Sequence, residues 1–548
     1  LNILARAFVV APAMCLLLFI SPLLAANSDP VQTRYGAVQD LLSSTGVRVF
    51  RGIPYAAPPI GPLRWKAPQA TANWTGVRRA DAFGPRCMQE LVFPDMVFRS
   101  QRTSEDCLYL NIWVPAPVTA ARHPVFVYFH GGGFVAGDGS EPRYDGESMA
   151  RRGIVVVTLN YRLGVFGFLA HPELSREVPY NGSGNYGLLD QVAGLRWVHE
   201  NITAFGGDPH RVTIGGESAG SVSVSALMAS PLSRDLISGA IGESGSILGT
   251  LPAQPLIAAE ANGRQFMAQA GAGSLAELRA LRADNLLAIA AKFGAFQFEP
   301  PSVRFTPVVD GYFLPRLPVE IFAAGEQAHV PLLAGSNSEE MPADVVLRGA
   351  APTLENYRRA VENLYGTRAE AILKAYPAAE AGDDVLEAAQ ALASDGFTGY
   401  STRKWIGFAT TTGGKPTFYY YFSRVRPTVE PQHGAINAAG KPDTASPAPE
   451  ARARGALHAG EIEYMLGNLD RSPTYAWTSD DRAVSQTAQR YFANFIESGD
   501  PNAAGLPSWP AYASGKRLML DVQTRAELDR AAARGRLFDE LLSSHDGP

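Results

Sequence analysis

A serine flanked by glycines, in Gly216-Glu217-Ser218-Ala219-Gly220, follows the strand-like run Arg211-Val212-Thr213-Ile214 and precedes the helix-compatible stretch Ser221 to Met228. A strand that turns sharply into a helix presents the residue at the turn with its side chain exposed. The flanking glycines are needed because a Cβ on either side would collide with neighbouring backbone. The pattern predicts a nucleophile elbow with Ser218 as the attacking group; a plain glycine-serine turn is the alternative reading in a chain with 53 glycines. A second cluster, His130-Gly131-Gly132-Gly133-Phe134, directly follows the apolar run Val125 to Phe129. Successive glycines let backbone N–H groups approach a ligand, the geometry that stabilises a developing oxyanion. Gly132 and Gly133 are the expected donors, joined by the N–H of Ala219 at the start of the next helix. Such a serine needs a histidine, whose ordinary pKa of about 6.5 lets it take the hydroxyl proton and return it near neutral pH.

The elements that must hold these residues read as an α/β architecture. Val125 to Phe129 and Ile154 to Leu159 are short, almost continuous apolar runs, as expected of strands buried on both faces of a sheet. Leu188 to Asn201 reads as a helix and Val212 to Gly215 as a further strand, and this alternation predicts a largely parallel sheet covered by helices. Helical patterns recur over Leu275 to Lys292, Leu354 to Leu373 and Ala483 to Ser498, as later helices or cap insertions. The stretch Pro427 to Arg454, rich in Pro, Ala and Gly, reads as a long exposed loop. No repeat of solenoid or propeller length is visible.

With 46% hydrophobic and 18% charged residues and a net charge of -5, the chain is an ordinary globular protein with no basic run suited to nucleic acid or an anionic membrane. Arg6 precedes the apolar stretch Ala7 to Leu24, which closes at Ala25-Ala26 before polar residues. This resembles a secretory signal peptide over residues 1–26, leaving 27–548 as a single domain exported to the periplasm or medium. A membrane anchor is the alternative, which Pro12, Pro22 and the small closing residues disfavour. Beyond Cys15 in the apolar run, Cys87 and Cys107 remain, and an even count in an exported chain favours a disulfide over two buried thiols. Closing that loop would contribute about 3 kcal/mol on the chain-entropy model. No metal-ligand spacing occurs among the nine histidines, so no metal or other cofactor is expected.

Several further motifs are in a characteristic order: Phe50-Arg51-Gly52-Ile53-Pro54-Tyr55-Ala56, Ser104 to Asn111, Asn160-Tyr161-Arg162-Leu163-Gly164, Gly184 to Gln191 and Phe205-Gly206-Gly207-Asp208-Pro209. With the elbow and the glycine loop, they resemble the type B carboxylesterase and cholinesterase family of the α/β-hydrolase fold over most of the chain beyond residue 26. The resemblance implies that fold, a serine hydrolase mechanism on small-molecule esters and a Cys87–Cys107 bridge. Gly455 to Tyr464 is similar to the family's histidine motif and makes His458 the base; His130, His199, His210 and His329 lack that context. The fold places its triad in the order serine, acid, histidine. Leu332 to Met341 is similar to the family's acid-bearing turn and maps the acid to Glu340, although Met341 stands where glycine is usual, which leaves Glu339 as the competing register. Glu217 and Ser244 match family positions near the triad, to support the histidine or a water, or else to make structural hydrogen bonds.

Residues 88–106 contain no tryptophan of the kind that cholinesterases use against choline. Pro301 and Val303 stand where those enzymes have bulky aromatics, implying a roomier acyl side, and Arg304 is a candidate partner for an acidic acyl group such as the polycarboxylic arm of a mycotoxin ester; a surface arginine is the plainer reading. Two other functions remain open from sequence: a non-catalytic binding protein on the same fold, and an amidase or thioesterase using the same triad. Oligomeric state is not legible.

Overall fold

The computed structural model describes residues 29–116, 121–293, 305–427 and 453–543. The expected signal segment with Cys15, the residues Pro301, Val303 and Arg304, and most of the stretch 427–454 lie outside the described residues.

Eleven strands form the principal sheet: β1 (Leu41–Leu42), β2 (Arg48–Pro54), β3 (Tyr109–Val114), β4 (His123–Phe129), β5 (Val155–Leu159), β6 (Gly207–Glu217), β7 (Gly239–Glu243), β8 (Leu332–Asn337), β9 (Thr417–Phe422), β10 (Lys516–Leu520) and β11 (Arg525–Leu528). Their order across the sheet is β1-β2-β3-β5-β4-β6-β7-β8-β9-β10-β11. The seven strands from β5 to β10 in that order run parallel, and antiparallel pairs occur only at the two margins. The expected mostly parallel α/β sheet is thus the observed one.

The apolar runs form strands because both faces are covered. Val125, Val127 and Phe129 of β4 enter one hydrophobic cluster while Phe126 and Tyr128 enter another. Leu332 and Ala334 of β8 likewise separate from Leu333, as a side-chain period of two demands. β6 is longer than the predicted Val212–Gly215, because its C-terminal end continues beside β4 and β7 directly into the elbow.

Two of the predicted helices are broken. Leu275–Ala280 and Ala283–Ala291 replace the single helix expected to Lys292: the Arg64 guanidinium takes the carbonyls of Arg279 and Leu281 at 2.8 Å each, withdrawing them from the helical ladder. Leu354–Tyr365 ends at Gly366, whose φ of 53° stops it before Ala369–Ala375. The last of the expected helices starts earlier than Ala483, at Ser479, where Thr478 and Asp481 form a reciprocal capping box.

Cys87 and Cys107 are bonded, with Cα atoms 5.0 Å apart. The loop they close is tied to the glycine loop after β4: Gln89 donates to the Gly137 carbonyl at 2.8 Å and accepts from the Gly137 N–H at 2.9 Å. Replacing both cysteines by serine should lower the unfolding free energy by about 3 kcal/mol. Denaturant melts of the two forms would show this, and an unchanged midpoint would mean that the bridge adds no stability.

Candidate active site

β6 delivers the chain into Ser218 and a fully buried helix, Ala219–Ala229, carries it away. Ser218 sits at φ 56°, ψ -120°, a conformation that a non-glycine residue holds only when its surroundings enforce it. The two glycines permit the turn. A Cβ on Gly220 would lie 2.1 Å from the Phe129 carbonyl oxygen, and one on Gly216 would lie 2.6 Å from that same oxygen. The glycine loop packs against the elbow from the other side: a Cβ on Gly131 would meet the Glu217 carbonyl oxygen at 2.7 Å. Gly132 and Gly133 take φ values of 99° and 60° and line the cavity beside Ser218. The loop is held by Tyr161, which donates to the His130 carbonyl at 2.7 Å while its ring stacks on the His130 imidazole.

β8 ends at Asn337, and the turn after it points its two glutamates in different directions. Glu340 is buried, accepts from the Asn337 N–H at 2.6 Å through Oε1, and meets His458 Nδ1 at 2.7 Å through Oε2. Glu339 instead accepts from the backbone N–H groups of Arg454 and Gly455 at 2.7 and 2.8 Å, and so pins the segment that leads to the histidine. Of the two glutamates, Glu340 is the one that reaches His458. On its other edge His458 Nε2 lies 3.0 Å from Ser218 Oγ. Serine, histidine and Glu340 form one connected chain of hydrogen bonds opening on a cavity of about 580 Å³. Phe397 closes one side with its ring edge-on to the imidazole, 4.9 Å between centroids.

Around this chain lies a group of buried carboxylates. Glu217 Oε1 is 3.2 Å from His458 Nε2, so this residue does face the histidine. Ser244 does not: it donates to Glu461 Oε1 at 3.1 Å, and Asn337 Nδ2 donates to the other Glu461 oxygen at 2.5 Å. Glu461 was not singled out from sequence. Its signal was a carboxylate three residues beyond His458 in the same motif, but its two partners come from the ends of β7 and β8. Burial pushes Glu217 up to about 8, with the charges of Glu461 and Glu340 adding to it and that of His458 opposing it, and Glu461 rises to about 7 for the same first cause. For His458, burial disfavours the charged ring, but Glu217, the bond to Glu340 and Glu461 outweigh it and hold the imidazole above its ordinary 6.5. No group of His, Cys, Asp and Glu among the described residues has metal-binding spacing.

The arrangement suits attack by a hydroxyl on a carbonyl, and the relatives agree in class. Residues 27–537 match the profile of the carboxylesterase family. The chain belongs to the carboxylesterase family. It is 35% identical over 507 residues to a fumonisin B1 esterase of Sphingopyxis macrogoltabida, covering 90% of this chain and 86% of that one. It is 34% identical over 526 residues to a para-nitrobenzyl esterase of Bacillus subtilis, covering 93% and 98%. A solved PNB esterase structure superposes with a TM-score of 0.76 at 32% identity, covering 92% of this chain and 98% of its own. This carboxylesterase hydrolyses carboxylic esters on an α/β-hydrolase fold, and among its described residues no helix is long and apolar enough to cross a membrane.

The raised histidine pKa fixes the sign of a pH effect. A histidine that acts as a base must be neutral, so with His458 in that role kcat/KM should be lost as pH falls through a value above 6.5, higher than the free imidazole implies. Glu217→Gln removes a charge that favours imidazolium and should move this acid limb to lower pH. A profile of the two forms whose limbs coincide would refute the role of Glu217.

Proposed function

We propose that this carboxylesterase works through an acyl-enzyme on Ser218. The hydroxyl attacks the ester carbonyl while His458 Nε2 takes its proton; the imidazolium then gives that proton to the departing alkoxide. Glu340 holds Nδ1–H, fixing the tautomer and stabilising the charge on the ring. The N–H groups of Gly132, Gly133 and Ala219 receive the oxyanion. Water, deprotonated by the same histidine, releases the acid and restores the serine. The observation that carries this reading is the unbroken hydrogen-bond chain from Glu340 through His458 to Ser218, at 2.7 and 3.0 Å, on the cavity wall. Residues 27–548 act in this reading as one exported domain after removal of 1–26.

The cavity wall suits a bulky ester with a largely apolar body, being built of side chains such as Met88, Phe93, Met96, Leu251, Leu287 and Phe305. A polycarboxylic, mycotoxin-type ester is a second reading, favoured by the relative named for fumonisin B1. A purely binding role would leave this hydrogen-bond chain without purpose, whereas amide or thioester substrates would use the same groups.

Ser218→Ala should abolish both turnover of 4-nitrophenyl esters and covalent labelling by a fluorophosphonate; labelling that persists would remove Ser218 as nucleophile. Glu340→Gln should lower kcat by roughly 10⁴, the scale seen when a triad acid is neutralised. Glu339→Gln should be far milder, acting only through the loop it pins, and the opposite ranking would exchange their roles.

A further inference from the structure

Arg143 stands apart from the other arginines that the fold buries. It follows the glycine loop on the short turn Pro142–Tyr144, its side chain is only 7% exposed, and it lines the same cavity as Ser218. Among the described residues of that wall it and His458 are the only basic side chains. Its position is fixed from behind: Asn468 donates to its carbonyl at 2.9 Å, the guanidinium lies over the Tyr144 ring, and Glu141 Oε2 is 2.9 Å from Nε.

Its forward partner is of a different kind. Asp95 is half-exposed on the disulfide-closed loop and reaches Arg143 by one contact at 3.1 Å. Two of the buried pairs of this chain are two-pronged and shorter: Arg162 meets Asp190 at 2.7 Å twice, and Arg64 meets Glu105 at 2.6 Å twice. A single long contact to a wetted loop carboxylate is easily exchanged, whereas a planar guanidinium held rigidly offers two parallel donors to a better-placed carboxylate. Replacing one carboxylate by another also leaves the arginine charge compensated, so its desolvation is not incurred again. Burial pushes the Glu141 carboxyl up to about 8 against the pull of Arg143. Besides Asp95, the wall carries two other carboxylates that oppose such a ligand, the exposed Glu90 on the same loop and the buried Glu217 beside His458.

We propose that Arg143 is an anion subsite of the ester pocket: an ester with a free carboxylate seats that group on the Arg143 guanidinium in the place Asp95 holds. The inference rests on the hydrolytic reading above and narrows its substrate class to include carboxylate-bearing esters, on whichever side of the scissile bond reaches Arg143.

The test compares matched pairs that differ only in charge: 4-nitrophenyl hydrogen adipate against its methyl ester for the acyl side, and 4-carboxyphenyl butyrate against its methyl ester for the alcohol side, with Ser218→Ala as blank. The readout is the ratio of kcat/KM, charged over neutral, which cancels losses common to both. Asp95→Asn frees the guanidinium and should raise the ratio several-fold in at least one pair, and Arg143→Gln should lower it roughly tenfold, the scale of a charge-assisted contact. If Arg143→Gln does not fold, Asp95→Asn decides alone. Ratios that stay fixed in both pairs, or a fall shared equally by charged and neutral esters, would overturn the subsite while leaving ester hydrolysis in place. Absence of Ser218-dependent turnover of the neutral esters would instead overturn the hydrolytic reading itself.

Discussion

The Phe129 carbonyl oxygen occupies the space that side chains at Gly216 and Gly220 would need. This close approach of three backbone segments, the end of β4 and the two arms of the elbow, governs the rest of the site. It forces the chain to reverse at Ser218 within one residue and so raises the hydroxyl above the sheet in a conformation that the serine would not choose alone. It also sets the glycine loop, which continues from Phe129, against the Glu217 backbone. The proposed nucleophile and oxyanion donors are thus positioned by one packing event between parallel strand ends, and only the proposed base and acid, His458 and Glu340, have to be brought from elsewhere.

Those two arrive on the neighbouring strand and a distant loop, and their electrostatics follow from burial. A carboxylate cluster of Glu217, Glu340 and Glu461 surrounds one imidazole. Glu217 and Glu461 are costly to keep charged away from water, and positive charge on the ring between them eases both. In the proposed mechanism, the imidazolium of acyl transfer carries such a charge. The site thus matches the charge of the proposed reacting state, and the cost in the resting state shows as the raised carboxyl pKa values of Glu217 and Glu461.

Much of this was readable in the residues. The elbow, the glycine loop and the strands β4 and β5 were evident because their signals are local: glycines at a forced turn, and continuous apolar runs that only a doubly covered strand explains. What escaped the sequence was long-range. Nothing in Leu275 to Lys292 announces a break, since the competitor for its carbonyls is Arg64, more than two hundred residues earlier. Glu339 and Glu340 are chemically identical neighbours and differ only in which way the turn after β8 aims them. Ser244 resembled a partner of the histidine, but the side chain it meets is Glu461, also held by Asn337. Arg143 gave no sequence signal at all, because its meaning comes from the cavity it borders.

The clamps around the histidine segment have one more consequence. On the near side β9 is followed by Arg424 bound to Asp481 and Arg426 bound to Glu463; on the far side Glu339 holds the N–H groups of Arg454 and Gly455. The segment that carries His458 is thus anchored, four residues before it, to the same turn that presents Glu340. A displacement of that turn carries the imidazole and its carboxylate partner together, so the spacing between them hangs on one anchor.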